Sequence, residues 1–415
     1  MSDPQPLHLF EAFGVELEYM IVDADDLCVL PVADELLRSV AESYESEVEL
    51  GDVAWSNELV LHVIEMKTNG PAETLDGLGR RFQEHVRRIG ELLGPLGGKL
   101  MPTGMHPWMD PATEMRLWPH EYSPIYQAYH RIFDCRGHGW ANLQAIHLNL
   151  PFADDAEFGK LHAAVRLVLP ILPALAASTP VVDGRLNGIL DTRLDFYRSN
   201  AARIPSITGS VVPERVFTRA EYERRILGRM YGDVRPFDPE GTLQHEFLNS
   251  RGAIARFDRG AVEIRLLDMQ ECPAADVAVC AAVAGVVRAL CEERLADFTA
   301  QASFATEPLA DLLLAAIREA DRAVIADRGY LALFNFPGEK CTAGELWHHL
   351  CETLCRWPPG GEPPWADALA GILRHGPLAR RIVAALGGDA SPGRLWSVYS
   401  RLCECLGQGR MFLGE

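Results

Sequence analysis

The sequence has no block of five or six basic residues, and acidic side chains outnumber basic ones, 58 Asp and Glu against 39 Lys and Arg, for a formal net charge of −19. So acidic a chain is a poor partner for nucleic acid or an anionic membrane. An anionic substrate would need local help, from clustered arginines or bound cations. Common catalytic devices are also missing. There is no GxxxxGKS/T and no GxGxxG between a strand and a helix, so neither a P-loop nor a Rossmann phosphate site is indicated. GxSxG elbows, HExxH helices and CxxC redox pairs are absent as well. The longest apolar stretch, Val277 to Val287, is bounded by Asp276 and Arg288 and is too short to span a bilayer. The ten cysteines are scattered; Cys351 with Cys355, and Cys403 with Cys405, lack second pairs at zinc-finger spacing. The opening MSDPQPLHLF has neither the basic nor the apolar region of a signal peptide. The expectation is reduced thiols in a cytoplasmic protein.

What is present is a large apolar fraction, 48% of 415 residues, enough for a sizeable core. Residues 14–22 alternate and read as a strand, 34–45 as a helix, and 58–68 as a second strand closed by Asn69-Gly70-Pro71. Helical spacing recurs at 73–94, 119–136, 155–178 and 276–297; short strands are expected at 99–104 and 142–150. An irregular arginine-rich stretch runs from 183 to 216, and residues 253–268 read as a hairpin turning at Asp258-Arg259-Gly260. Beyond about 305 only helical patterns occur, at 308–327, 343–356, 365–387 and 393–407, broken by clusters such as Trp357-Pro358-Pro359-Gly360-Gly361. The fold class expected is α+β with an antiparallel or mixed sheet over residues 1–300, followed by a helical part over 301–415.

Successive side chains on a strand face opposite ways, so Glu16 and Glu18 share one face and Val15, Leu17 and Tyr19 the other. Glu58 and Glu65 are oddly spaced; both reach one site only if a bulge intervenes or Glu58 precedes its strand. In AIHLNL, His147 and Asn149 share a face, and in AVEIRLLD, Glu263 and Arg265 do. Two readings compete. For any single strand a solvated sheet face is the commoner arrangement. The other is a concave sheet whose polar face binds cations and an anionic substrate. Composition favours the second, because these faces carry carboxylates and one histidine in place of Lys, Thr, Ser and Gln. Converging carboxylates repel one another unless a cation lies between them. Hard oxygens with an occasional imidazole suit Mg²⁺, with Mn²⁺ also compatible. The stretch RLDFYRSNAARIPSITG holds Arg193, Arg198 and Arg203 with Asn200 between, forks suited to phosphate or carboxylate; a solvated surface loop is the equal alternative.

Taken together, these residues resemble the type 2 glutamate–cysteine ligases and related carboxylate–amine ligases. GVELEYMIVD looks like that family's opening GVE-x-E strand, and ELVLHVIEMKTNGP its second glutamate strand. PTGMHPW resembles its GTHPF-type loop, and NLQAIHLNLP stands where it has HVHVG. FYRSNAARIP is similar to its arginine/asparagine segment, and RGAVEIRLLDMQ to its GTVEVR-x-x-D strand. The matches run in the family's order from about residue 14 to 295. Asn149 replaces the second histidine, Pro151 the following glycine and Ala261 the threonine, and the tail beyond 305 matches nothing in the pattern.

The resemblance implies a glutamine-synthetase-like fold, a curved sheet with helices on its outer face. It also implies ATP-dependent joining of a small-molecule carboxylate to an amine. On this reading Glu16, Glu18, Glu65, His147 and Glu263, with Glu58 a weaker candidate, would ligate Mg²⁺ that holds the ATP phosphates. Arg265, Arg198 and Arg203 would act on the transferring phosphoryl group or the acid, and Asn149 and Asn200 would contact substrate. His106 is either a substrate contact or a loop-packing histidine. Rival readings are a guanidino-kinase-like phosphotransferase and an inactive ATP-binding relative. A homo-oligomer is left open.

Overall fold

In the computed structural model, which describes residues 6–354 and 363–414, the opening alternation becomes a long strand, β1 (Gly14–Asp23). After it come β2 (Glu47–Leu50), β3 (Val53–Asn57), β4 (Val63–Thr68), β5 (Gly98–Met101) and β6 (Ala145–Pro151). A small hairpin, β7 (Val181–Val182) and β8 (Arg185–Leu186), lies apart. The hairpin expected at 253–268 is β9 (Ala253–Arg256) and β10 (Ala261–Asp268), with Gly260 at φ 61° in its turn. The main sheet has eight strands in the order β2-β3-β4-β1-β6-β10-β9, with β5 paired to the far half of β1. Every pairing in it is antiparallel.

Val15, Leu17, Tyr19 and Ile21 are fully buried on one face of β1 and join the main hydrophobic cluster. Helices Leu78–Leu93, Asp155–Val168 and Pro273–Cys291 contribute to the same cluster, so the sheet's apolar face is covered by helices. The helix Pro273–Cys291 is long and apolar enough to cross a membrane, longer than the apolar stretch 277–287 judged too short to span one, yet 78% of its most apolar window is buried inside the protein. Its Asp276 accepts the Tyr19 hydroxyl at 2.8 Å, tying it to β1.

On the opposite face of β1, Met20 and Val22 belong to a second apolar cluster with Met101 and helices Leu378–Leu386 and Pro392–Gln408. The polar face is thus polar only over its first half. The helices Thr306–Glu319, Ala343–Leu354 and Ala366–His375 share the main cluster with the sheet.

Several expected boundaries shift. The strand expected at 58–68 begins at Val63, because Leu61 and His62 instead bridge to Arg116 and Ile21 through the backbone. The hairpin β2–β3 was not expected; β2 is short, half-exposed and acidic, and its Gly51-Asp52 turn was the sole signal. The helix expected at 365–387 is two, split at Gly376 (φ 81°) and Pro377. The expected 343–356 helix is described to Leu354; Cys355 and the Pro/Gly cluster at 357–361 lie outside the described residues.

Candidate active site

The antiparallel registers bring the polar faces of four strands together. Glu16 is opposite Lys67 on β4 and His147 on β6; Glu18 is opposite Glu65; Glu263 is opposite Asn149. His147 is the centre. Its Nδ1 lies 2.9 Å from Glu16 and 4.0 Å from Glu263, and its Nε2 lies 3.7 Å from Glu18. Two sets of ligand atoms each lie within 4.8 Å of one another, Glu16–His147–Glu263 and Glu18–Glu65–His147. Both glutamates of the opening strand, both strand-borne glutamates of β4 and β10, and the histidine therefore converge. Glu58 is in neither set. It precedes β4, in the β3–β4 loop, one of the two arrangements its spacing required, and lines the same cavity as Glu18.

The electrostatics are those of crowded acids. Burial, with the Glu16 charge, pushes Glu65 up to about 7 against the pull of Lys67 at 3.2 Å. Burial also raises Glu18, and raises Glu58 well above the carboxylate range, helped by the neighbouring Glu18 and Glu65. Burial opposes ionisation of Glu16 too, but the His147 hydrogen bond and charge prevail and hold it at about 2. Burial disfavours imidazolium at His147, yet Glu18 and Glu16 raise it to about 9. Three acids that lack a full counter-charge, in hard-oxygen sets around one imidazole, fit Mg²⁺ or Mn²⁺.

Arginines frame this cluster. Arg265 sits where β10 bulges between Ile264 and Leu267, which turns it into the cavity beside Glu18 and His147. Its Nε pairs with Glu263 at 2.9 Å. Arg193, buried, pairs with Asp268 and lines the same cavity. Asp268 is held in turn by the Ser178 amide at 2.8 Å and by the Ser178 and Thr179 hydroxyls, each at 3.1 Å.

The other expected residues are placed as follows. Asn149 donates to Glu16 at 3.1 Å, on the far side of the cluster from Glu18. Asn200 lines the Glu18 cavity, and its buried Oδ1 has no hydrogen-bond partner. Arg198 is exposed and pairs with Asp195 at 2.9 Å, outside that cavity. Arg203 is exposed too; it donates to the Ile132 carbonyl at 2.7 Å and lies over the Phe237 ring. Helix Thr192–Tyr197 points Arg193 inward and Arg198 out, so the arginine stretch is part site and part surface. His106, expected as a candidate substrate contact, does not reach the site. It is fully buried, accepts the Trp108 amide on Nδ1 at 3.2 Å and contacts the Leu27 carbonyl through Nε2 at 2.7 Å. Burial lowers it to about 4. Both nitrogens serve the loop, so it is a packing histidine.

Two cavities meet at the cluster. The larger, about 430 Å³, opens on Glu18, Glu58, His147, Arg193, Arg265, Asn200 and Ser250 and is walled for the rest mainly by aromatic and aliphatic side chains. The smaller, about 320 Å³, opens on Glu16, Asn149, Lys67 and Arg259. Sequence reading did not foresee the aromatic wall. Tyr122, Tyr126 and Tyr129 recur at helical spacing around helix Ser123–Phe133, which was a usable signal. Phe247 and Ser250 come from a stretch with no recognisable pattern.

A sheet face that gathers carboxylates around one imidazole, framed by arginines, belongs to the class of carboxylate-lined catalytic sheets with the donor set hard cations take. The chain belongs to the glutamate-cysteine ligase family 2, whose family profile matches residues 12–389. An uncharacterized protein of Archaeoglobus fulgidus is 39% identical over 285 residues, covering 68% of this chain and 76% of that one. A Clavibacter michiganensis protein provisionally named glutamate–cysteine ligase 2 is 24% identical over 246 residues, 56% of this chain; the match spans only 58% of that protein. Among solved structures, glutamate–cysteine ligase from Francisella tularensis in complex with AMP has the same fold, with a TM-score of 0.56 at 12% identity, covering 96% of this chain and 89% of that one.

Proposed function

We propose that the protein is an ATP-dependent carboxylate–amine ligase that activates an acid, as the family does the γ-carboxyl of glutamate, and passes the acyl group to an amine. The observation that carries this reading is that Glu16 and Glu18, two residues apart on one strand, open on different cavities. Cations held by Glu16, Glu18, Glu65, His147 and Glu263 would lie in the wall between the cavities and neutralise phosphate oxygens.

An amide does not form from a free carboxylate in water at useful yield, so activation must come first. Lys67 and Arg259 are the basic side chains of the smaller cavity, offset there by Glu16 and Glu47, so a triphosphate would depend on the bound cations as well. Arg265 and Arg193, which line the larger, would hold the acid and stabilise the transferring phosphoryl group. The acid's carboxylate oxygen attacks the γ-phosphorus and ADP leaves. The amine nitrogen then attacks the acyl carbon, phosphate departs with the C–O bonding electrons, and the nitrogen gives up a proton.

The test is ADP release and amide formation, the latter by mass spectrometry, with purified protein, Mg-ATP and a panel of acids and amines. Glu16→Gln and Arg265→Ala should each lower turnover by about a hundredfold or more. Unchanged turnover in either variant would refute its assigned role. ADP release without an amide would make the protein a phosphotransferase, and no stimulation by any acid–amine pair would sink the ligase reading.

A further inference from the structure

The larger cavity is not shaped for a small polar acceptor. Six aromatic residues line it, Tyr122, Tyr126, Tyr129, Trp140, Tyr197 and Phe247. The polar tips of three of them are already committed to the backbone. Tyr129 donates to the Phe247 carbonyl at 3.3 Å, Tyr197 to the Arg251 carbonyl at 3.3 Å, and the Trp140 indole to the Asn200 carbonyl at 2.9 Å. These residues therefore offer ring surface to the cavity. The rings also hold one another: Tyr129 contacts Trp140 with centroids 5.2 Å apart and Phe247 at 6.5 Å, and Trp140 stacks on Phe133 at 5.3 Å. A box this braced is formed before any ligand enters.

One end of the cavity is taken by charge. Arg193, Arg265, Glu18 and His147 mark where the activated acid would lie, since they adjoin the carboxylate cluster. The aromatic end is left for the second substrate. There, the Asn200 Oδ1 is a buried acceptor without a partner, which calls for an N–H donor. An ammonium group over tyrosine and tryptophan faces is also stabilised by cation–π attraction. The amine of cysteine could meet Asn200 as well, but its small polar body would leave the ring surfaces unfilled.

We propose that the acceptor is a primary amine carrying an apolar body about the size of an aromatic ring, an arylalkylamine in class, bound in this box with its nitrogen toward Asn200. The proposal rests on the ligase reading for its chemistry, but its binding can be tested without it.

Two measurements separate the two. The first is initial-rate ADP and amide formation with Mg-ATP, glutamate and other acids, comparing 2-phenylethylamine with cysteine and methylamine. The second is calorimetric binding of 2-phenylethylamine. The expected result is a kcat/KM for 2-phenylethylamine at least tenfold above either small acceptor. Trp140→Leu and Phe247→Leu, checked for unchanged melting, should each lower that preference at least tenfold and leave the KM for ATP unchanged. Equal or better use of cysteine or methylamine overturns the proposal and leaves the ligase reading standing. Competition between ATP and 2-phenylethylamine for one site also overturns it. If no acid–amine pair turns over, yet 2-phenylethylamine binds and Trp140→Leu weakens it tenfold, the ligase reading fails and the amine box stands. Neither turnover nor binding overturns both.

Discussion

At the scale of single residues, the protein keeps three histidines neutral by burying them completely. His62 is lowered to about 3 and His106 to about 4 by burial. His162 is lowered to about 3 by burial first and by the Arg166 charge second. His162 is the cleanest to test, because it lies among the rings of Phe158, Phe217 and Tyr222, away from the carboxylate cluster. The charged groups facing it are Arg166, Arg251 and Glu214. Its folded value lies below its unfolded one near 6.5, so below 6.5 the unfolded chain takes up a proton that the folded protein refuses. Stability is therefore lost as pH falls. We expect the unfolding free energy of the wild type, relative to His162→Phe, to drop by about 1.4 kcal/mol per pH unit below 6.5 and to stay constant above it. Denaturant titrations of both proteins from pH 8 to pH 5 would decide it. A constant difference across that range would show that His162 is free to charge in the fold. His106 shows how residue type alone misleads: the burial that keeps it from any substrate is invisible in the TGMHPW loop.

At the scale of elements, the site depends on how closely β1 and β6 approach. Gly14 faces Asn149 across that pairing, and a methyl group on it would sit 2.9 Å from the Asn149 Cβ. Something must shift, and Asn149 is the residue that donates to Glu16. Gly14→Ala should cost about 1–3 kcal/mol by overpacking. Gly285, in the middle of helix Pro273–Cys291, has nothing within 4 Å of such a methyl, so Gly285→Ala should instead stabilise by about 0.5–1 kcal/mol. Thermal melts of the two single variants test both; a stabilised Gly14→Ala would show that the strands can part without cost. The alternation on β1, β6 and β10 was legible in the sequence because period-two patterning survives any tertiary arrangement. β2 and β3 were not, because neither is long enough to show a period. The aromatic spacing around Ser123–Phe133 was legible as a helix, but not as the wall of a cavity.

At the scale of the whole molecule, the C-terminal helices finish what β1 starts. Met20, Val22 and Met101 are fully buried against Leu378–Leu386 and Pro392–Gln408. Arg381 pairs with the buried Glu271 and donates to the Phe412 carbonyl at 2.7 Å. Removing residues from Leu378 onward would expose that apolar surface and take from Glu271 both of its partners, Arg381 and the Phe412 amide. A domain is stable by only about 5–15 kcal/mol. We expect a chain ending at Pro377 to lack a cooperative melt by circular dichroism and to be cut readily under limited proteolysis. A full-length-like transition would mean that the sheet stands without these helices.

The sequence by itself determined which side chains face together along each strand, and so named Glu16, Glu18, Glu65, His147, Glu263 and Arg265 before any contact was seen. That follows from covalent geometry: neighbours on a strand alternate, whatever packs around them. Only the tertiary structure decided which strands adjoin, that Glu58 enters from a loop, that Arg193 turns inward where Arg198 turns out, and that six rings from four elements enclose one cavity. Register, loop paths and cavity walls are set by packing between segments far apart in the chain, and no local pattern encodes them.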